Sequence, residues 1–364
     1  MSGDVTLEVL GWDARWAEVW AAHRGESDGR IPARVILEHQ HIYRVHTGQE
    51  DVLARVTGRV RHKFGTREAF PAVGDWVALK PAAPTEEMGR IVDVLPRRGR
   101  FVRKAAGTAA EAQVVAANVD VVFLVSGLDH DFNVRRIERY LLAALEGGAS
   151  PVIVLNKADL ARDMDEVRRA LGPVAGEAPV VLVSARSGIG VDQLRRHIGV
   201  GRTAAFLGSS GVGKSTLINC LLGSDVQRTA EVRESDSKGR HTTTHRELIV
   251  LPGGGLLIDT PGMRELQLWD VSTGLDDAFE DIAAIAVDCR FRDCTHDTEP
   301  DCAVQAAVAD GRLSADRHAN YLRLRKEVLT KPVEEADIRA AAERRREERA
   351  ASKALKKLYA SRHE

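Results

Sequence analysis

The chain has 364 residues, 44% hydrophobic and 29% charged, with a formal net charge of −1. That length exceeds one typical domain, so two or three are expected, and the balance suits a soluble globular protein. No run of apolar residues is long enough for a membrane span, which takes about 18 or more.

The near-neutral total conceals an asymmetry. Residues 29–104 carry fifteen Lys/Arg against eight Asp/Glu, a net of +7 that leaves −8 for the rest. A basic segment beside an acidic remainder fits either a polyanion partner or an ordinary solvated basic surface.

Residues 1–28 read as a helical N-terminal extension. Its opening, MSGDVTLEVLGWDARW, lacks the basic-then-apolar pattern of a signal peptide. Trp12, Trp16, Val19 and Trp20 recur at helical spacing, which is the pattern of a packing face, and Gly25 and Gly29 punctuate its end.

Over residues 29–98 the texture changes to short β-like runs: RVILEHQHIYRV, DVLARVTGRV and DWVALK. Turn signals at Gly48, Gly65 and Gly74 separate them. Roughly five strands in this span suit a small β-barrel, and an OB-fold leads because it pairs this size with a basic nucleic-acid face. His62, Lys63, Phe64 and Arg67 set an aromatic among cations, either as an RNA contact or as a solvated hairpin tip.

Pro96 to Gly99 reads as a linker, and an α/β alternation follows over residues 99–273. DVVFLVSG, PVIVLNKAD, APVVLVSARSGIG, RTAAFLGSSGVGKS and GGLLIDTPG are apolar runs of the kind expected from parallel strands buried on both faces. RRIERYLLAALEGG reads as a helix between the first two. Ligands of such sheets sit at the carboxyl ends of strands, and every polar motif here lies at one.

The first motif is Asn156-Lys157-Ala158-Asp159. An Asp carboxylate accepts two donors from the guanine edge, an arrangement adenine does not offer. Asn156 would read the base carbonyl side or tie adjacent loops, and the Lys157 stem would lie over the base. Ser184-Ala185 follows as the supporting loop, with the Ala185 N–H reaching the guanine oxygen.

Next comes the phosphate loop, Gly208-Ser209-Ser210-Gly211-Val212-Gly213-Lys214-Ser215-Thr216. Its glycines let backbone N–H groups close around an anion, and a helix starting at Lys214 turns its positive end to the phosphates. Lys214 would reach the β- and γ-phosphates and the Ser215 hydroxyl would ligate Mg²⁺. In Asp259-Thr260-Pro261-Gly262, Asp259 would hold Mg²⁺ through water and the Gly262 N–H would meet the γ-phosphate. Between them lies KGRHTTTH, where a hydroxyl that ligates Mg²⁺ is expected: Thr243, with Thr242 and Thr244 as alternatives.

Two features set this nucleotide site apart. The base motif precedes the phosphate loop, which is a circular permutation of the usual order. Met263 then occupies the position where a Gln orients the attacking water in Ras-like proteins, and a thioether cannot do that. Unaided GTP hydrolysis is therefore expected to be slow, with His241 an internal candidate for the missing group or simply a surface histidine.

Over residues 274–332 the chain turns helical around Cys289, Cys294, His296 and Cys302. Three thiolates and one imidazole suit tetrahedral Zn²⁺, and four protein ligands leave no open position, so the site reads as structural. The clustering of three of the four cysteines fits a reducing cytoplasm rather than a disulfide framework. Cys220 and His318 are the nearest competitors as ligands and are read instead as packing residues. Residues 333–364 form a charged tail rich in Ala, Glu, Lys and Arg, either a solvated helix or a frayed end.

The permuted order, GSSGVGKST, GRHTTTH, the hydrophobic residue after DTPG, DCRFRDCTHDTEPDCAV and PAVGDWV together resemble the ribosome small-subunit-dependent GTPase A family, RsgA, from about Ile31 to Leu329. The resemblance implies a multidomain α/β protein with an OB-fold β-barrel, a circularly permuted P-loop GTPase domain and a C-terminal helical zinc-binding domain in series. It also implies hydrolysis of GTP to GDP and phosphate, stimulated by the small ribosomal subunit and its rRNA during late subunit maturation. A cytoplasmic monomer with neither membrane nor DNA as partner is the matching expectation. Two rivals stand: a GTP-dependent RNA-binding assembly factor in which hydrolysis is incidental, kept open by Met263, and an ATPase or kinase on the same loop, opposed by Asp159.

Overall fold

The computed structural model describes residues 5–23, 29–39, 42–58, 61, 66–83, 85–104, 112–161, 163–223, 246–259, 279–291 and 294–329. The extension forms α1 (Ala14–His23). Its aromatic stripe is a packing face: Trp16 is buried, and Trp12, Val19 and Trp20 lie against the same core. Trp12 meets Trp76 edge-on at 4.7 Å, and the Arg98 guanidinium lies 4.5 Å over Trp16.

The next five strands are β1 (Ile31–His39), β2 (Ile42–His46), β3 (Asp51–Val56), β4 (Trp76–Lys80) and β5 (Gly89–Val94). The pairings β1–β2, β2–β3, β4–β5 and β1–β4 are antiparallel, and β3–β5 is parallel. Together they close an OB-type barrel around Val35, Tyr43, Val45, Val77 and Ile91. The run RVILEHQHIYRV, read as a unit, supplies both β1 and β2, and the fifth strand comes from GRIVDV, which the pattern reading did not single out.

The PAVGDWV turn anchors this barrel to the hairpin and sheet C-terminal to it. Gly74 has φ +93, and a Cβ there would lie 2.1 Å from the Ala117 carbonyl oxygen, so a side chain is excluded twice over. Asp75 is fully buried and accepts from Arg97 Nε and Nη2 at 2.8 and 2.7 Å. This fork-on-fork pair is the strong form of a charged hydrogen bond.

Pro96–Gly99 leads not into the α/β sheet but into an antiparallel hairpin, β6 (Arg100–Lys104) and β7 (Ala112–Ala117). The sheet then follows with β8 (Val121–Gly127), β9 (Ser150–Asn156), β10 (Val180–Leu182), β11 (Thr203–Gly208), β12 (Arg246–Val250) and β13 (Leu256–Asp259). Five of these run parallel in the order β10-β9-β8-β11-β13, with β12 antiparallel beside β13. Every residue of β8 and β11 is buried, as central parallel strands require.

Strand β12 also pairs with β1, Glu38 opposite Arg246 and Leu37 opposite Glu247, so barrel and α/β sheet are hydrogen-bonded into one surface. Arg34 reinforces the join. Fully buried, it donates to the Leu10 carbonyl at 2.7 Å and to Thr203 Oγ1 at 3.1 Å, linking the extension, the barrel and the start of β11.

Helices cover both faces of the sheet: α2 (Val134–Glu146) and α3 (Met164–Ala175) on one, α4 (Val191–His197) and α5 (Lys214–Leu222) on the other. Three more, α6 (Glu280–Ala286), α7 (Ala303–Ala309) and α8 (Ala315–Leu329), carry the cysteine segment. An ionic network centred on the buried Arg317 and Glu138 fastens that segment to α2. Arg317 on α8 donates to Glu138 on α2 at 2.8 Å and to Asp281 Oδ1 at 2.6 Å, while Asn320 donates to the other Glu138 oxygen. Burial pushes the Glu138 carboxyl up, against the pull of Arg317.

Removing one partner of a buried pair strands the other charge, at about 3–5 kcal/mol. Arg317→Ala is therefore expected to lower the unfolding transition of the chain strongly. Glu138→Leu with Arg317→Met is expected to recover most of the loss, because the buried charges go together. Equal transitions for wild type and Arg317→Ala in urea would contradict this account of the join.

Candidate nucleotide site and metal centre

The phosphate loop leaves β11 at Gly208 and enters α5 at Lys214, the strand–loop–helix setting that its chemistry needs. Gly211 and Gly213 have φ +77 and +99, which L side chains rarely adopt. A Cβ on Gly213 would lie 2.3 Å from Asn156 Nδ2, and one on Gly208 would lie 2.6 Å from the Val125 carbonyl oxygen. Both glycines thus allow close packing as well as the turn. Lys214 is buried, and its Nζ donates to the Gly208 and Ser209 carbonyls at 2.7 and 2.5 Å, held inside the loop's own curve. Ser210, Gly211, Ser215 and Thr216 are exposed there, with Val212 buried beneath. A glycine-lined turn, a cation within it and a helix N-terminus behind it fit a polyphosphate.

The base motif sits at the end of β9, two strands away from β11 across β8. Asn156, which sequence left with two roles, ties loops: its Nδ2 donates to the Val212 carbonyl at 2.8 Å, and its Oδ1 accepts the Ala185 N–H at 3.0 Å. That second bond differs from the expectation that the Ala185 N–H addresses a base oxygen. A guanine oxygen reaching it would share the donor with Asn156.

Lys157 adopts a left-handed backbone, φ +61, and its Nζ donates to Asp129 at 2.6 Å. The same hydrogen bond holds the Asp129 carboxyl below its ordinary range. Ala158 opens a short 3-10 turn that carries Asp159 outward. Asp159 is exposed, and Ser184, itself buried, donates to its Oδ1 at 2.6 Å. That bond keeps the carboxyl ionised and low in pKa, as an acceptor for two base donors must be. Cys220 does pack: its thiol donates to the Ala185 carbonyl at 3.3 Å.

Two functional neighbours escaped the sequence reading. Asp129 and Asp131 lie in the loop after β8, where Asp131 accepts from Ser209 Oγ at 2.7 Å and pairs with Arg136 at 2.8 Å. Their signal was positional: SGLDHD follows a buried strand at the same carboxyl edge as the other motifs.

Asp259 ends β13, adjacent and parallel to the strand that feeds the phosphate loop. An Mg²⁺ would find the exposed Ser215 hydroxyl as a direct oxygen donor and this half-buried carboxylate to hold one of its waters, hard oxygen groups of the type the ion takes. Thr243, its alternatives Thr242 and Thr244, His241, Thr260 to Gly262 and Met263 lie outside the described residues. So do His62, Lys63, Phe64 and the tail.

The cysteine segment brings its four residues together, with ligand atoms all within 4.8 Å of one another. Cys289 Sγ and Cys302 Sγ are 3.9 Å apart, and each lies 3.5 Å from His296 Nδ1. A tetrahedral zinc with bonds of about 2.3 Å to sulfur and about 2.1 Å to nitrogen would separate its ligands by about 3.8 Å (S–S) and about 3.6 Å (S–N). The donor set therefore fits the ion in kind and in spacing. His318 is not a ligand but a brace: its Nε2 lies 2.8 Å from the His296 carbonyl oxygen. It steadies a residue held at φ +63. Cys294, Cys302 and His296 are buried against Phe279, Tyr321 and Leu324, so the centre is closed to solvent on that side.

Comparison with known proteins agrees with this geometry. Residues 94–269 match the family model described as RsgA GTPase. A protein of Opitutus terrae named small ribosomal subunit biogenesis GTPase RsgA is 50% identical over 331 residues, covering 89% of this chain and 90% of its own. A second of that name, from Lactiplantibacillus plantarum, is 45% identical over 83% of this chain and 85% of its own. Among solved structures, YjeQ from Thermotoga maritima superposes with a TM-score of 0.63 at 28% identity, covering 83% of this chain and 99% of its own. YloQ, described as a circularly permuted GTPase, gives 0.61 at 26% identity, covering 85% and 99%. The phosphate loop after the base motif has its counterpart in the permutation described for YloQ, and with half of its residues identical to the Opitutus terrae protein over most of both lengths the chain belongs to the RsgA GTPase family, a family of GTP hydrolases.

Proposed function

We propose that this chain is a GTP hydrolase that docks on the small ribosomal subunit and its rRNA and acts late in that subunit's maturation, releasing GDP and phosphate when the subunit stimulates it. The observation that carries the reading is the linked base and phosphate site, in which Asn156 bonds to both the Val212 carbonyl and the Ala185 N–H. Relatives named for small-subunit biogenesis support the partner. The net +7 of residues 29–104 supports a basic barrel as the rRNA face.

In this reading residues 1–28 brace the barrel of residues 29–98, residues 99–273 form the GTPase domain, residues 274–332 the zinc domain, and 333–364 a charged tail. The protein acts as a monomer in the cytoplasm. Among the described residues no helix is long and apolar enough to cross a membrane.

Lys214, with the N–H groups of Ser209 to Thr216, holds the phosphates. Ser215, Thr243 and, through water, Asp259 would hold Mg²⁺, which when bound neutralises charge on the β- and γ-phosphates. Asp159 holds the base, and Gly262 meets the γ-phosphate. Met263 supplies no water-orienting group, so the subunit must complete the site, and His241 is the internal residue offered for that role. The same Met263 favours the second reading, an assembly factor in which nucleotide state matters and hydrolysis is incidental.

Docking is tested by co-sedimentation with isolated small subunits. Association is expected to be tighter with a non-hydrolysable GTP analogue than with GDP. It should fall steeply as salt rises from about 50 to about 200 mM, because phosphate contacts release counterions. His241→Ala should sediment like wild type yet lose most of the stimulated rate. Association equal for small and large subunits and insensitive to nucleotide would count against the proposal.

A further inference from the structure

A cavity of about 210 Å³ opens where the barrel meets the β6–β7 hairpin, lined by Glu38, Tyr43, Arg61, Arg67, Phe70 and Gln113 among others. Tyr43 is wholly buried in the barrel core, yet its phenol oxygen, also buried, has no hydrogen-bond partner among the described residues. An unpaired buried hydroxyl is costly, and barrel cores avoid one where phenylalanine would do. Gln113 accepts from Arg246 through Oε1 at 3.4 Å, which leaves its amide N–H groups as further donors at this wall. Glu38 is compensated by Arg246 at 3.3 Å, so its charge does not stand alone against an anion. Arg61 is exposed and Arg67 joins it at the rim, with the Phe70 ring beside them.

We propose that this cavity receives one nucleotide of a single-stranded RNA segment, its base against Phe70 with a polar edge at the Tyr43 hydroxyl and the Gln113 amide, and its phosphate between Arg61 and Arg67. The chemistry is that of single-strand binders, an aromatic platform for the base and cations for the backbone. The inference rests on the reading that the basic barrel meets RNA, and it assigns that contact to a base-accepting pocket. Its position adds a consequence. Glu38 and Gln113 both hold Arg246, the residue next to the segment containing His241 and Thr243, so an occupied pocket bears on a bond that borders the switch.

The test uses the full chain and fluorescent dodecamers of oligo(U), oligo(A) and oligo(C), with an abasic ribose-phosphate strand of equal length, at low salt. Tyr43→Phe is expected to weaken binding of at least one base-bearing strand about fivefold, the loss of one hydrogen bond. It should leave abasic binding unchanged and the thermal unfolding midpoint unchanged or slightly raised. Arg61→Ala is expected to weaken all strands alike, abasic included, and to reduce the salt slope by about one. If Tyr43→Phe and Gln113→Ala bind every strand as wild type does while Arg61→Ala weakens all, the pocket is overturned and the basic barrel stands. If wild type binds no strand at low salt, the barrel's RNA reading fails and the pocket with it.

Discussion

Cys294→Ala is expected to leave the chain without zinc and to unfold the segment around Cys289 to Cys302. The ligand atoms of Cys289, His296 and Cys302 already lie near tetrahedral separations, and Cys294 Sγ lies within 4.8 Å of them, but the described residues that carry the first three ligands form no helix or strand. Cys289, Cys294 and His296 are on a loop between α6 and α7, His296 and Asp301 both have positive φ, and only Cys302 abuts a helix. Apparent zinc affinities in small domains are on the order of 10 kcal/mol or more, and that energy is folding energy. Wild type purified without chelator should carry close to one zinc per chain by elemental analysis. The variant should carry none, with lost helical circular dichroism and faster proteolysis after α6. Because Glu138 and Arg317 fasten this segment to α2, the loss should also lower the stability of the nucleotide-binding part. A zinc-free wild type with an intact C-terminal segment would refute the metal centre.

Asp159→Asn is expected to exchange guanine for xanthine preference. The carboxylate is exposed, ionised and oriented by Ser184, so a guanine bound beside it would find acceptor oxygens for both of its donors. An amide offers one acceptor and one donor, which opposes the guanine amine and suits the xanthine oxygen. A site built to pair a specific hydrogen-bond pattern rejects the mismatch strongly, and the loss for GTP should be roughly tenfold or more. Affinity for xanthosine triphosphate should rise in the same variant, while ATP remains weak in both. Competition binding against a fluorescent guanine nucleotide reads all three. Unchanged GTP affinity would remove Asn156–Asp159 from the base site.

The parts of this architecture that were legible in the sequence are those whose chemistry is local. A phosphate loop needs its glycines, Lys214 and Ser215 in sequence, and a zinc centre of this kind needs its three thiolates and imidazole close together. What escaped depends on pairing across the chain. The closure of β3 against β5, the antiparallel β12 and its bond to β1 join segments up to about two hundred residues apart, and no short pattern marks them. The β6–β7 hairpin was hidden because RFVRK and AQVVAA are short and abut a stretch read as linker. Asn156 shows the same limit within the site. Its type left two roles open, reading the base or tying adjacent loops, and only the fold shows it bonded to Val212 and Ala185. Asp129 and Asp131 carry no motif at all and gain their meaning from lying beside Lys157 and Ser209.

The proposed dependence of this GTPase on the small ribosomal subunit is read out by phosphate release from GTP at low salt while isolated small subunits are titrated in. The expected result is a slow basal rate that climbs to saturation with small subunits, stays flat with large subunits, and is lost in Lys214→Ala throughout. A rate that is the same with and without small subunits would contradict it.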